Sequence, residues 1–220
     1  MKRILEGVRR FQEDIFPQER ERFQSLADRQ APRALFITCA DSRVLPNLIT
    51  QSPPGDLFIC RNAGNMVPPF GELAGGVSAT IEYAVAALGV RHIIICGHSD
   101  CGAMKGVLYP EKVAEMPMVA AWLRQGEAAR QVVLATPGLD EQARLDRLIE
   151  QNVVAQLHHL RTHPAVAVGL SRGTLEIHGW VYTIASGRIV AYDAAADRFV
   201  EPRPDAIPAA TRTPNGGTAA

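Results

Sequence analysis

The chain has 220 residues, enough for one sizeable core, and no shift in composition divides it into two domains. It is 47% apolar, and 23 basic residues balance 23 acidic ones, which argues against nucleic acid or an anionic membrane as partner. No apolar run approaches the ~18 residues of a membrane span. Met1-Lys-Arg-Ile-Leu-Glu-Gly7 lacks the apolar core and cleavage site of an export signal, so a cytoplasmic protein is expected.

Residues 1–29 predict a helical arm, with Ile4, Leu5, Val8, Phe11, Ile15 and Phe16 at helical spacing and Pro17 starting a second segment with Phe23 and Leu26 inward. The expected shape is hairpin-like, packed either on a neighbouring molecule or on its own core. A catalytic domain is expected over 30–201. Its first strands are 34–39 and 56–61, followed by a Gly/Pro-rich loop from Asn62 to Gly76. Helix 77–88 is apolar nearly all round and must be covered on more than one side, with Gly89 as its stop. Strand 92–97 leads through His98-Ser-Asp-Cys-Gly102 into a short helix, and a further helix is expected around 117–130. Over 140–160, Leu145, Leu148, Ile149, Val153, Leu157 and Leu160 share one face of an amphipathic helix; Pro164 opens a short helix that ends at Gly173. Strands 174–184 and 188–193 flank the Ser186-Gly187 turn as a hairpin, and 202–220 reads as a disordered Pro/Ala/Thr/Gly-rich tail. The sum is an α/β fold: a mostly parallel central sheet with flanking helices, an N-terminal helical arm and antiparallel C-terminal edge strands.

Cys39 closes the apolar run Ala34–Thr38, and His98 closes Ile93–Gly97, so both fall where strands end and loops begin. In open α/β sheets ligands collect at that carboxyl-end crevice. Cys39, His98 and Cys101 supply two thiolates and one imidazole. Zinc suits such donors, and three protein ligands leave its fourth position open, as in catalytic sites. The other two cysteines, Cys60 and Cys96, lie inside apolar strands, so reduced cysteines are expected rather than disulfides. Asp41 is open to two roles, a fourth ligand or a carboxylate held ionised by Arg43. The guanidinium two residues away favours the second.

Cys39-Ala-Asp41-Ser-Arg43 and Gly97-His-Ser-Asp-Cys-Gly102 resemble the two signatures of the β-class carbonic anhydrases. Asp56-Leu-Phe-Ile-Cys-Arg-Asn-Ala-Gly-Asn65, Ile81-Glu-Tyr-Ala-Val-Ala86 and His178-Gly-Trp-Val-Tyr182 match that family in the expected order, so that the likeness runs from Gln30 to Asp193. It is strongest to the plant-like branch and to the bacterial enzymes that accompany cyanate degradation. The resemblance implies one zinc per subunit on Cys39, His98 and Cys101, an Asp41–Arg43 catalytic dyad, and Gln30, Phe58, Tyr83 and Gly102 as substrate-binding residues. Taken alone, Gln30 reads as a loop residue and Phe58 and Tyr83 as core. Asp100 reads as loop polarity, and no histidine besides His98 stands out. A branch with a regulatory bicarbonate pocket has Trp and Gly where this chain has Phe36 and Thr38; Val44 and Arg61 are shared with it.

The implied activity is reversible hydration of carbon dioxide to bicarbonate and a proton, by zinc-bound hydroxide oriented by the dyad. Two thiolates cancel the ion's charge, so activity favouring alkaline pH is expected. The implied assembly is a homodimer or dimer of dimers. Rival readings are a carbon disulfide or carbonyl sulfide hydrolase on the same zinc core, or a non-enzymatic zinc-stabilised binding module.

Overall fold

The structure, a computed structural model, describes residues 1–71 and 75–202; the tail expected over 202–220 lies, from residue 203 on, outside the described residues. Six strands, β1 (Ala34–Cys39), β2 (Leu57–Asn62), β3 (His92–His98), β4 (Glu176–Tyr182), β5 (Ile189–Asp193) and β6 (Arg198–Val200), form one sheet in the order β2-β1-β3-β4-β5-β6. The pairs β1–β2, β1–β3 and β3–β4 are parallel, while β4–β5 and β5–β6 are antiparallel. From β1 the chain passes to β2 on one side and then returns to β3 on the other. That reversal opens a crevice at the carboxyl ends of β1 and β3. Cys39 and His98 are the last residues of those two strands.

The main core lies on one face, where Leu35, Ile37, Ile93, Ile95 and Val181 meet Leu145, Leu148, Ile149, Val153, Leu157 and Leu160 of α8 (Glu141–Arg161). Burying each of these side chains stabilises the fold by roughly 1.5–3 kcal/mol. Asp140 caps α8 by accepting the Ala143 N–H at 2.8 Å. The helix lies so close that a Cβ at Gly97 or Gly179 would stand 2.9 or 2.7 Å from Val153. The opposite face carries a smaller cluster, Ala34, Phe36, Ile94 and Cys96, with Phe36 edge-on to Trp180.

Several expected boundaries shift. The N-terminal arm comprises α1 (Lys2–Arg10), a π-turn (Phe11–Ile15) and α2 (Phe16–Leu26), with Pro17 in the first turn of α2 as expected. Phe11 and Phe23 would stand about 18 Å apart along a straight helix. Their ring centroids are 6.0 Å apart, with Phe16 within 6.1 Å of both, so the arm bends at the π-turn around an aromatic elbow. No arm residue is buried, and Ile4, Leu5 and Val8 remain 63%, 59% and 49% exposed. A short helix not expected from the sequence, α3 (Pro46–Thr50), joins β1 to β2.

The apolar helix is α4 (Gly76–Glu82) followed by a π-turn (Tyr83–Ala87), and Gly89 beyond it has φ +65°. It buries Ile81 and Ala84 but leaves Tyr83 exposed, so the chain itself covers one side of it. After α5 (Gly102–Leu108), the helix expected over 117–130 is two, α6 (Pro117–Leu123) and α7 (Glu127–Leu134). Gly126 marks the break, its backbone packed so closely that a Cβ would stand 3.0 Å from Val107. Pro164 opens α9 (Pro164–Ser171). The expected C-terminal hairpin gains a third strand, β6, whose Phe199 ring packs on Tyr192.

Candidate metal centre

Three elements bring the sequence-expected ligands together. β1 delivers Cys39, β3 delivers His98, and Cys101 sits one residue before α5. The two sulfurs and the histidine nitrogen all lie within 4.8 Å of one another, and all three residues are buried. Sγ of Cys39 and Sγ of Cys101 are 4.0 Å apart, twice the ~2.05 Å of a disulfide, and both cysteines are free. With Zn–S bonds of about 2.3 Å, two thiolates on one tetrahedral ion stand roughly 3.8 Å apart.

The histidine tests the fit. His98 Nδ1 donates to the Ser99 carbonyl at 2.9 Å, which leaves Nε2 with its lone pair free. Nε2 is fully buried and has no hydrogen-bond partner. A buried imidazole nitrogen costs free energy unless something meets it. A zinc ion between His98 and the two sulfurs would meet it, and the donor set fits zinc better than a hard cation. The hydrogen bond from Cys101 draws the Cys39 thiol down against its burial, and the same bond and burial push the Cys101 thiol up.

The surrounding loops fix these ligands. Ser99 N–H donates to the Tyr182 carbonyl at 2.9 Å and Ser99 Oγ accepts from Ile184 N–H at 2.9 Å, pinning the turn after His98 to β4. Gly64 N–H donates to Cys39 Sγ at 3.4 Å. At φ +81°, and with Ala103, Met104 and Met66 within 3.0–3.3 Å of where a Cβ would stand, position 64 requires glycine. Its carbonyl accepts from Asn152 Nδ2 at 3.1 Å; Gln156 Nε2 donates to Asn152 Oδ1 at 2.9 Å, and Gln156 Oε1 accepts from Val67 N–H at 2.8 Å. Sequence reasoning passed over these two buried polar residues. Their signal was their phase: Asn152 and Gln156 fall on the apolar face of α8, where an unpaired amide would be costly.

Asp41 stands beside this cluster, its Oδ2 3.9 Å from His98 Nε2. Arg43 grips its carboxylate bidentately, Nε to Oδ1 at 2.9 Å and an Nη to Oδ2 at 2.8 Å, and the Arg43 backbone N–H adds a third bond at 2.9 Å. That side-chain pairing holds the carboxyl well below the ordinary carboxylate range. Arg43 in turn donates to Asp100 Oδ2 at 3.1 Å, and Lys105 pairs with the other Asp100 oxygen. Asp100 is therefore more than loop polarity: it sits at φ +57° and orients the guanidinium that orients Asp41. Arg61 braces the same turn, donating to the carbonyls of Cys39 at 3.1 Å and Asp41 at 2.6 Å.

The remaining expected site residues are placed differently. Gly102 adjoins Cys101 at the exposed start of α5. Phe58 pairs in register with Leu35, four residues before Cys39, about 13 Å back along the strands. Tyr83 packs on Phe58 with ring centroids 6.0 Å apart, and Gln30 is exposed ahead of β1. Gln30, Phe58 and Tyr83 thus gather towards the amino ends of β1 and β2, away from this chain's own ligands.

Residues 34–189 match the family model described as carbonic anhydrase. A carbonic anhydrase of Pseudomonas aeruginosa is 56% identical over 200 residues, covering 91% of this chain and 91% of its own. Carbonic anhydrase 1 of Escherichia coli O157:H7 is 49% identical over 94% of this chain and 97% of its own. Among solved structures, the β-carbonic anhydrase CcaA superposes with a TM-score of 0.90 at 46% identity, covering 92% of both chains. A tetrameric β-carbonic anhydrase of Sordaria macrospora gives 0.77 at 33% identity, over 86% of this chain and 95% of that one. Such agreement over nearly the whole chain, in a protein that gathers Cys39, His98 and Cys101 into one cluster, means that the protein belongs to the β-class carbonic anhydrases, enzymes that hydrate carbon dioxide to bicarbonate.

Proposed function

We propose that in this carbonic anhydrase Asp41 and Arg43 are the catalytic dyad beside a single zinc per subunit, held by Cys39, His98 and Cys101. Zinc in such a site supplies a Lewis acid that makes hydroxide available near neutral pH. The observation that carries the dyad is the clamp itself, with Asp41 Oδ2 3.9 Å from His98 Nε2 and three bonds from Arg43 on the carboxylate. A carboxylate so held stays ionised. It accepts a hydrogen bond from the attacking oxygen and fixes its direction toward carbon dioxide, and Arg43 keeps it from turning to become a ligand. Asp41→Asn should leave zinc content unchanged while the hydration rate falls about 100-fold, at the lower end of what positioned acid–base groups contribute. Metal analysis beside stopped-flow hydration checks this; near-wild-type turnover in Asp41→Asn would make the pair structural only.

Gln30, Phe58, Tyr83 and Gly102 form the substrate wall of this reading. Because the first three lie at the far end of the strands from their own chain's ligands, they line a pocket only when a second subunit presents them. A homodimer, alone or paired into a dimer of dimers, follows. The exposed stripe of Ile4, Leu5, Val8 and Phe11 on the arm and the exposed Tyr83 support it. The setting is cytoplasmic in this reading; among the described residues no helix is long and apolar enough to cross a membrane.

Phe36 and Thr38 support the plant-like branch, without a regulatory bicarbonate pocket. Phe36 is fully buried against Trp180, and the Thr38 hydroxyl is already spent on the Cys96 carbonyl at 2.8 Å.

A further inference from the structure

The opposite end of β3 and β4 holds a second group of ligand atoms that carbon dioxide hydration does not use. His92 opens β3, Glu176 opens β4 directly across from it in register, and His178, two residues on, points from the same face. His92 Nδ1 and His178 Nε2 are 3.2 Å apart, and a single oxygen of Glu176, Oε2, stands 3.8 Å from each. One shared proton accounts for the contact between the rings. It does not account for a carboxylate oxygen equidistant from both nitrogens, the third corner of a triangle. With Zn–N bonds of about 2.0–2.1 Å, two ligands on one tetrahedral ion stand roughly 3.3–3.4 Å apart. The imidazole nitrogens, 3.2 Å apart, are within about 0.2 Å of that spacing, and the carboxylate reaches it by moving roughly 0.5 Å. Glu176 is free to move, its side chain being 48% exposed. The frame beneath is rigid: Glu176 N–H donates to the Arg91 carbonyl at 2.9 Å, and the strands stay paired through His98 and Tyr182. The site is partly open, with the His92 and His178 side chains 32% and 26% exposed, so an ion can enter and water can complete its shell.

We propose that His92, His178 and Glu176 form a second metal site, separate from the Cys39–His98–Cys101 centre, which takes a divalent transition ion of the zinc class and ties the starts of β3 and β4 together. Two imidazoles and one carboxylate without thiolate select zinc, cobalt or nickel over magnesium and calcium. The ion binds the folded pair of strands and not the separated ones, so free ion raises the unfolding temperature.

The test uses holoenzyme first dialysed to one zinc per chain, then equilibrated with excess cobalt(II), separated from free ion and followed by absorption and elemental analysis. The expected result is one cobalt per chain beside a retained zinc, with d–d bands and no thiolate-to-cobalt charge transfer. Glu176→Gln, which keeps shape on an exposed side chain, and His92→Gln should each weaken cobalt binding roughly 10-fold or more, at unchanged zinc content. His178→Ala should do the same. Cobalt uptake accompanied by zinc loss and a thiolate charge-transfer band would place the ion in the first centre and overturn the proposal. No cobalt retained by the wild-type holoenzyme, or undiminished retention in the Glu176→Gln, His92→Gln double variant, would also overturn it.

Discussion

At the carboxyl ends of β1 and β3, Cys39, His98 and Cys101 are buried, and Gly64, Ser99, Arg61 and the Asn152–Gln156 pair hold their loops by hydrogen bonds. Towards the amino ends of the same sheet, Gln30 and Tyr83 are exposed, while Phe58 is half-buried beneath Tyr83. One end is closed by the chain's own loops; the other is left open by them. The difference follows from topology. The strand reversal between β2, β1 and β3 makes a crevice that local loops can fill, whereas the amino ends meet the solvent and the bent arm. A single chain therefore brings the metal-centre residues together, and the proposed dimer is what would bring the residues at the open end to a substrate.

The largest effect should come from breaking the closed end. Four-ligand zinc sites bind with about 10–16 kcal/mol, so one ligand is worth roughly 3 kcal/mol, or about 100-fold in affinity. Cys101→Ser should lose zinc by that factor on dialysis against a chelator, and hydration with it. Zinc retention at the wild-type level would remove Cys101 from the ligand set.

Arg43→Ala tests how the closed end holds Asp41, and about a 10–100-fold loss of hydration rate is expected from freeing the carboxylate. Arg43 lowers the Asp41 pKa in the folded state, so its contribution to stability is fully present above the unfolded value of ~3.9 and is lost as pH falls through the lower folded value. Carboxyl ¹³C NMR of the holoenzyme should show the Asp41 midpoint below that value, rising toward it in Arg43→Ala. An unchanged midpoint would mean that Arg43 does not govern the carboxylate.

The open end is tested by mixing subunits. Asp41→Asn and Gln30→Ala chains, each impaired alone, are unfolded together and refolded as hybrids. If the wall comes from the partner, a hybrid dimer contains one site with an intact Asp41 and an intact Gln30. About half of the wild-type activity per hybrid then returns. Hybrids no more active than their parents would put Gln30 and Asp41 in the same chain's pocket, or leave Gln30 out of it.

A smaller effect is expected from the support beneath the closed end. Asn152→Ala leaves the Gly64 carbonyl and one Gln156 donor without partners, a cost of about 1–3 kcal/mol. Thermal unfolding of the zinc-loaded enzyme should register that loss, with zinc stoichiometry kept. The smallest effect is a near-absence: added bicarbonate should not produce a cooperative fall in hydration rate near neutral pH, because Phe36 offers no donor and Thr38 is engaged with Cys96. A steep bicarbonate-dependent loss would reverse the branch assignment.

The sequence by itself determined the alternating α/β order and the strand-end positions of Cys39 and His98, because apolar runs that stop abruptly at polar loops report strand termini directly. It also determined the Asp41–Arg43 pairing, since two residues' separation lets one turn join carboxylate and guanidinium. The π-turn elbow of the arm, the break at Gly126 and the third antiparallel strand, β6, were set by packing, which local periodicity does not encode. Only the tertiary structure decided that Asn152 and Gln156 serve Gly64, that Asp100 steadies Arg43, and that His92 and His178, 86 residues apart, share one face. Those meetings depend on strand register and on the approach of α8 across Gly97 and Gly179, quantities fixed by long-range contacts rather than by neighbours along the chain.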